Sequence, residues 1–409
     1  MGLSDEGLIL VLVFTWVPLL LFHFYIIRRA KAVADGASTY NKNLVALVAF
    51  VMILALYVVV CTTTMYAAMH DRQADRTFIT QVAEVVWLFS PVVATISVIR
   101  IGGGLYPSAF KVFPSSRPEI LLCLKRAFAF GIPLCFVFAA GDQVLRKLVA
   151  LAVTKSLDSP VPMNSAFIAS IGNSFGIENA GTTLSLIIGY ISNFTIGPIV
   201  DLFAPSSDSV FDYGNNANTG VGLYLLYAIP EEIGWTGALY PMLMTHFAPS
   251  VRDQLGSPFW PVAKAIFLTG FVWALWHSPF IILKWNPTID SLLGFFYQVL
   301  FLLSCLASRV VLIALSWPVY SGTSNLLETS GSVKNPSLFP AIFAHAAMNV
   351  WWNFFNCLYD WSSAPAWSIT TGSEFSVLAV AWQFAIAFGM LQFTLKRKSS
   401  PRRDSASPH

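Results

Sequence analysis

Ten stretches of this chain are apolar over about the length that a bilayer crossing demands, and that pattern leaves few choices of fold. A hydrocarbon core about 30 Å thick needs roughly 20 apolar residues per helix. The stretches are 7–27, 43–69, 79–99, 124–141, 181–203, 221–246, 260–284, 295–320, 338–359 and 374–394. In lipid every backbone N–H and C=O must find its partner inside the segment, so runs of this length predict α-helices. Of 409 residues, 56% are hydrophobic and 11% charged. A soluble chain carries about 25% charged residues. The expected fold is therefore all-α, a polytopic transmembrane bundle of about ten helices. Its main partner is the lipid bilayer. A net charge of +3 is too small to suggest nucleic-acid binding.

The first run follows Asp5 and Glu6 and not a basic region, and it lacks a small-residue cleavage site. It reads as a retained span. The stretch 142–180 is ambiguous. Its DQVLRKLVALAV part is amphipathic and suits the interface. Its VPMNSAFIASIGNSFGI part is apolar but broken by Asn and Gly, as in a re-entrant piece or a weak span. Basic residues cluster in the first loop (Arg28, Arg29, Lys31), the third (Arg100, Lys111, Arg117, Lys125, Arg126) and the tail (Lys396, Arg397, Lys398, Arg402, Arg403). All three should face the cytoplasm. Nine runs separate the first loop from the tail, an odd number, so the count is off by one, and 142–180 is the place to look. Residues 204–220 form a polar loop, and the Ser-, Pro- and Arg-rich tail 396–409 reads as disordered. No internal repeat is visible. The sequon Asn193-Phe194-Thr195 sits in an apolar run, so no sugar is expected there. Five cysteines (61, 123, 135, 305, 357) show neither CxxC nor metal-ligand spacing and read as buried, inert thiols.

Against this background certain residues do not belong in a membrane. An ionisable side chain at mid-bilayer costs roughly 2.5–3.5 kcal/mol on insertion scales. Yet Pro230-Glu231-Glu232-Ile233-Gly234-Trp235-Thr236-Gly237 puts two adjacent carboxylates near the centre of a run. Like charges so close cannot both ionise cheaply in low dielectric without compensation. Pro230 loosens the preceding turn, while Gly234 and Gly237 allow another helix to approach closely. A second anomaly, His277, follows Trp273 by four residues within 260–284. In 338–359, His345 and Asn349 lie four apart and so share a helical face, with Asn353 continuing the stripe. Ala344, Ala346 and Ala347 keep that helix slim. Taken singly, each group fits interhelical hydrogen bonding. Taken together, two carboxylates, two imidazoles and an amide at comparable depth predict one shared polar chamber. Such a chamber could activate a water by acid–base chemistry, or bind a divalent metal with a position left open.

The set resembles the CAAX protease and bacteriocin-processing (CPBP) family of intramembrane proteases. That family carries E-E-x-x-x-R, F-x-x-x-H and H-x-x-x-N on successive transmembrane helices. Here the three motifs read Glu231-Glu232…Thr236, Trp273…His277 and His345…Asn349, in the same order and spacing. The resemblance spans roughly 221–360. It implies a domain division into an N-terminal transmembrane extension (1–180), a catalytic domain (181–395) and the tail. Two positions depart from the pattern: Trp273 replaces Phe, and Thr236 replaces Arg. The family Arg would balance the glutamates. Lys264 and Arg309 are the candidate replacement cations, and Arg309 is the more interesting because it lies inside a span.

By resemblance, Glu231 assisted by His277 activates a water. His345 and Asn349 stabilise the oxyanion, and Glu232 supports them. No cofactor is required in that scheme; the alternative is a zinc ion on Glu231, His277 and His345. The family's best-known branch removes the last three residues of a prenylated C-a-a-X tail. The implied substrate is thus a prenylated or otherwise membrane-associated peptide. The implied location is the endoplasmic reticulum in a eukaryote, or the cell membrane in a bacterium. Two other readings compete. One is a catalytically silent scaffold of the same fold that has lost the Arg. The other is a proton-coupled transporter, which the lack of internal repeats disfavours.

Overall fold

The computed structural model describes residues 5–35, 37–70, 76–102, 117–139, 221–247, 259–280, 292–316, 337–358 and 377–396, with the isolated positions 145 and 152. Within them the chain is helical and has no β-strand. The helices are α1 (Asp5–Ala34), α2 (Thr39–His70) and α3 (Arg76–Gly102). Helix α4 joins Arg117–Leu124, a π-helical turn Lys125–Gly131 and 132–139. Helix α5 joins Val221–Glu232, a second π-helical turn Ile233–Leu239 and Tyr240–Phe247. Then come α6 (Phe259–Phe280), α7 (Leu292–Ser316), α8 (Phe339–Leu358) and α9 (Val377–Lys396). Nine of the ten expected runs coincide with these helices. The tenth, 181–203, lies outside the described residues, as do 204–220 and the tail, and all but two positions of 142–180.

Four described stretches, Asn41–Ala67, Val82–Ile101, Ile120–Ala139 and Gln298–Ser316, have the length and composition to cross a membrane. Side chains such as Leu21, Phe24 and Val59 are more than 60% exposed. Water would reject such a surface and lipid accepts it, so the chain is an integral membrane protein. Helix α4 begins upstream of the expected position 124, so Lys125 and Arg126 belong to the helix and not to the loop before it. Long basic side chains near a helix end can reach the interface, which lets the helix start earlier than hydropathy suggests.

Several hydroxyls buried in the bundle are satisfied within their own helices. Thr64, Thr95, Ser97, Thr269 and Ser308 each donate to the carbonyl four residues back. This local bond lets Ser and Thr occupy buried helix at little cost. Cys61, Cys123, Cys135 and Cys305 are buried free thiols, as expected; the side chain of Cys357 is outside the described set.

Helix α5 is the hub. It packs on α2 and α3 on one side and on α6, α7 and α8 on the other. Small residues set these distances. A Cβ placed on Gly234 would fall 2.2 Å from Cβ of Pro91, so only glycine lets α3 sit this close to α5. Gly270 plays the same part between α6 and α7, where an added Cβ would meet Leu306 at 2.9 Å and Arg309 Cβ at 3.3 Å. Beyond α8, Gly131 of α4 meets Ala344, and the Cys135 thiol donates to the Ala344 carbonyl at 3.2 Å.

Candidate active site

Helix α5 changes character where the carboxylates sit. Pro230 lies inside it, and the π-helical turn starts at Ile233, directly after Glu232. A π turn inserts an extra residue, re-aims the side chains around it and recurs at functional sites. Glu231 and Glu232 are both buried and face different partners.

Glu232 is held by four hydrogen bonds. Arg309 Nη1, from α7, donates to Oε1 and Oε2, both at 2.9 Å. His345 Nδ1–H, from α8, donates to Oε1 at 2.8 Å, and Thr236 Oγ1 donates to Oε2 at 2.5 Å. Arg309 also donates to Thr236 Oγ1 at 3.1 Å, and its guanidinium lies 4.1 Å from the centroid of Trp273. The ion pair is shut off from the surroundings, both side chains being 0% exposed. A buried carboxylate survives only when paired and hydrogen-bonded. Arg309 therefore occupies the electrostatic place that the motif assigns to position 236, approaching from α7. The other candidate cation, Lys264, lies over Phe247.

Glu231 is left to face α6. Trp273 Nε1–H donates to Glu231 Oε2 at 2.6 Å. His277 Nε2 lies 3.8 Å from the same oxygen. That is too long for a hydrogen bond and short enough for one water to touch both groups. The other ring nitrogen is committed: His277 Nδ1–H donates to the Trp273 carbonyl at 3.0 Å, which leaves a lone pair on Nε2. The His277 side chain is 13% exposed, whereas Arg309 and Glu232 are sealed. Four aromatic rings surround this imidazole with centroids 4.6–5.8 Å away: Trp276, Trp273, Phe301 and Trp87.

The described structure thus joins Glu231 with His277, and Glu232 with His345. Trp273 bridges the two halves, its ring lying 5.1 Å from His277 and 5.5 Å from His345. Asn349 follows His345 by one turn of α8 and is half-buried. No hydrogen bond ties its side chain to Glu231, Glu232 or either histidine. The side chain of Asn353 lies outside the described set. Among the described residues no three His, Cys, Asp or Glu side chains gather into a set that could hold a metal ion.

Sequence reasoning missed two contributors. Trp273 stands where the motif has Phe, and its indole N–H binds Glu231, something Phe cannot do. Trp87 on α3 was not singled out at all. The available signal was general: an indole buried in a bundle needs an acceptor for its N–H, which makes each intramembrane Trp a question about its partner.

Comparison with known families agrees with the motifs. Residues 215–351 match the family described as Rce1-like, type II CAAX prenyl endopeptidase. No curated protein and no solved structure matches the chain significantly. The matched segment holds all three motifs and every residue of the Glu231–His277 and Glu232–Arg309–His345 arrangement, and excludes α1 to α4. Within this integral membrane chain, the resemblance to the CAAX proteases is thus carried by residues 215–351, which match the Rce1-like family model.

Proposed function

We propose that the chain is a multi-pass intramembrane endopeptidase that cleaves membrane-associated peptides, prenylated C-a-a-X tails in particular, with a water activated by Glu231 and His277. The observation that carries this reading is the 3.8 Å gap between Glu231 Oε2 and His277 Nε2. Both atoms are acceptors, so one water can donate a proton to each and turn a lone pair toward a scissile carbonyl. As the water oxygen bonds to the carbonyl carbon, Glu231 or His277 takes its proton. The carbonyl electrons move onto oxygen, where His345 and Asn349 would stabilise them. Collapse of the tetrahedral intermediate breaks the C–N bond, and the held proton passes to the leaving amine.

The separate neutralisation of Glu232 supports this assignment. With Arg309 and His345 on Glu232, the second carboxylate is free to act as a base without two bare charges on one turn. His345 presents Nε2 away from Glu232. That nitrogen can donate to an oxyanion when the ring is an imidazolium. Arg309 also answers the missing Arg on which the silent-scaffold alternative rests. The C-a-a-X preference comes from the family match, and a lipidated substrate suits a chamber reached through the bilayer. The membrane would be the endoplasmic reticulum in a eukaryote and the cell membrane in a bacterium.

The test is purified full-length protein with a farnesylated C-a-a-X peptide, comparing wild type with Glu231→Ala and His277→Ala. Cleavage by wild type that both substitutions abolish supports the proposal. Equal turnover in all three samples overturns the assigned site.

A further inference from the structure

We infer that helix α3, far outside the family-matching segment, is a working part of this site, and that Trp87 and Ser90 are positioning residues for His277. The inference rests on the peptidase reading for its kinetics and on geometry for its existence.

Trp87 lies flat against Trp276, the residue preceding His277, with centroids 3.8 Å apart and planes 8° from parallel. Its Nε1–H donates to the Trp276 carbonyl at 3.2 Å. In return Trp276 Nε1–H donates to Ser90 Oγ at 3.0 Å, and Ser90 Oγ–H donates to the Trp87 carbonyl at 2.6 Å. The two indoles and the hydroxyl thus close a ring of hydrogen bonds between α3 and α6. The bond on the Trp276 carbonyl ties this turn of α6 to α3. His277 rides on this turn, and the Trp87 ring also stands 5.8 Å from its imidazole at 79°.

The same helix is keyed to the other half of the site. Pro91, next to Ser90, fills the space that Gly234 leaves open one turn from Glu231. Helix α3 therefore touches the carboxylate helix and the imidazole helix at adjacent residues, and it fixes one against the other. A reacting pair 3.8 Å apart tolerates little drift, since a displacement of about 1 Å can cost two orders of magnitude in rate. An N-terminal helix that only anchored the chain would need no paired indoles at this point.

The test compares Trp87→Phe, Trp87→Ala and Ser90→Ala with wild type and with Leu88→Ala, a buried apolar residue on the same helix that touches none of these groups by hydrogen bond. The readout is the pH–rate profile of farnesylated-peptide cleavage. The charged or titratable groups that bear on His277 are Glu231 on α5, Arg309 on α7 and His345 on α8; α3 itself carries one buried carboxyl, Glu84. Leu88→Ala should scale the profile down without moving it, as loss of folded protein would. Trp87→Ala should lower kcat at least tenfold and displace the profile. Trp87→Phe and Ser90→Ala should do so to a lesser degree. Profiles that keep the wild-type shape in all three variants overturn the inference, provided Glu231→Ala is inactive in the same assay. If Glu231→Ala still cleaves, or wild type does not, the peptidase reading fails instead. The placement is then read from the ¹⁵N-imidazole resonance that His277→Asn removes. It should shift in Ser90→Ala and not in Leu88→Ala, and an unmoved resonance overturns the inference.

Discussion

Arg309 Nη1 sits 2.9 Å from both carboxylate oxygens of Glu232, joining α7 to α5 through an ion pair with no exposed surface. The charge that the motif places one turn along the glutamate's own helix comes here from a neighbour. Thr236 at the motif position is small enough to admit it, and its hydroxyl bonds both partners. Trp273, the other departure from the motif, lies beneath the guanidinium. The two departures are thus parts of one arrangement.

Removing one partner of such a pair leaves a bare buried charge. Arg309→Leu should destabilise the protein by about 3–5 kcal/mol and abolish cleavage. Thr236→Arg in wild type should not raise activity, because the place is taken and two cations would crowd one carboxylate. Thr236→Arg combined with Arg309→Leu should recover stability and activity relative to Arg309→Leu alone. Thermal melts and turnover on the four proteins check this. A double variant no better than the single one would show that the two positions are not interchangeable.

The indole of Trp273 separates into a face and an N–H. Trp273→Phe restores the motif residue and keeps a ring for Arg309 and both histidines, but it deletes the 2.6 Å donor to Glu231. Hydrogen bonds to charged groups contribute about 1.5–3 kcal/mol, so kcat should fall between about tenfold and a hundredfold with little change in melting temperature. A variant as fast as wild type would mean that Glu231 is held without Trp273.

His345 and Asn349 differ in how firmly they are held, and the variants should differ accordingly. His345→Gln breaks a bond to Glu232, so it should reduce stability as well as rate. Asn349→Ala removes a half-buried amide with no bond to the catalytic residues, so the fold should be indifferent. If Asn349 serves the oxyanion, kcat should still drop by about 10²–10³. Single-turnover kinetics beside melting curves separates the two effects, and an Asn349→Ala protein of full activity removes that residue from the scheme.

Much of the helical frame was legible because lipid permits so few backbone solutions. Nine of the expected runs reappear as helices, and the shifts at the end of α1 and the start of α4 both take in basic side chains that hydropathy counts against a span. The polar residues were legible for the same reason: charge inside an apolar run must have a partner. The identity of the partner was harder to read. Arg309 could be named as a candidate from its depth, but its reach to Glu232 depends on Gly270 letting α6 and α7 approach. The role of Trp87 depends on Pro91 fitting against Gly234. Such contacts join positions far apart in the chain, Gly270 to Leu306 and Pro91 to Gly234, and no local pattern marks them.

Zinc can be tested directly against the geometry. Each histidine has one nitrogen tied to an oxygen acceptor and the other free, an arrangement that orients metal-bound imidazoles as well as catalytic ones. What the site lacks is convergence: His345 is drawn to Glu232 and His277 to Glu231, so the three candidate ligands do not gather around one point. Cleavage should therefore survive prolonged treatment with a strong chelator, and added zinc should not raise kcat. Activity lost to the chelator and restored by stoichiometric zinc would mean that His345 leaves Glu232 in the working enzyme. In that case Arg309→Leu should also weaken zinc binding, because an unpaired Glu232 would hold His345 more tightly.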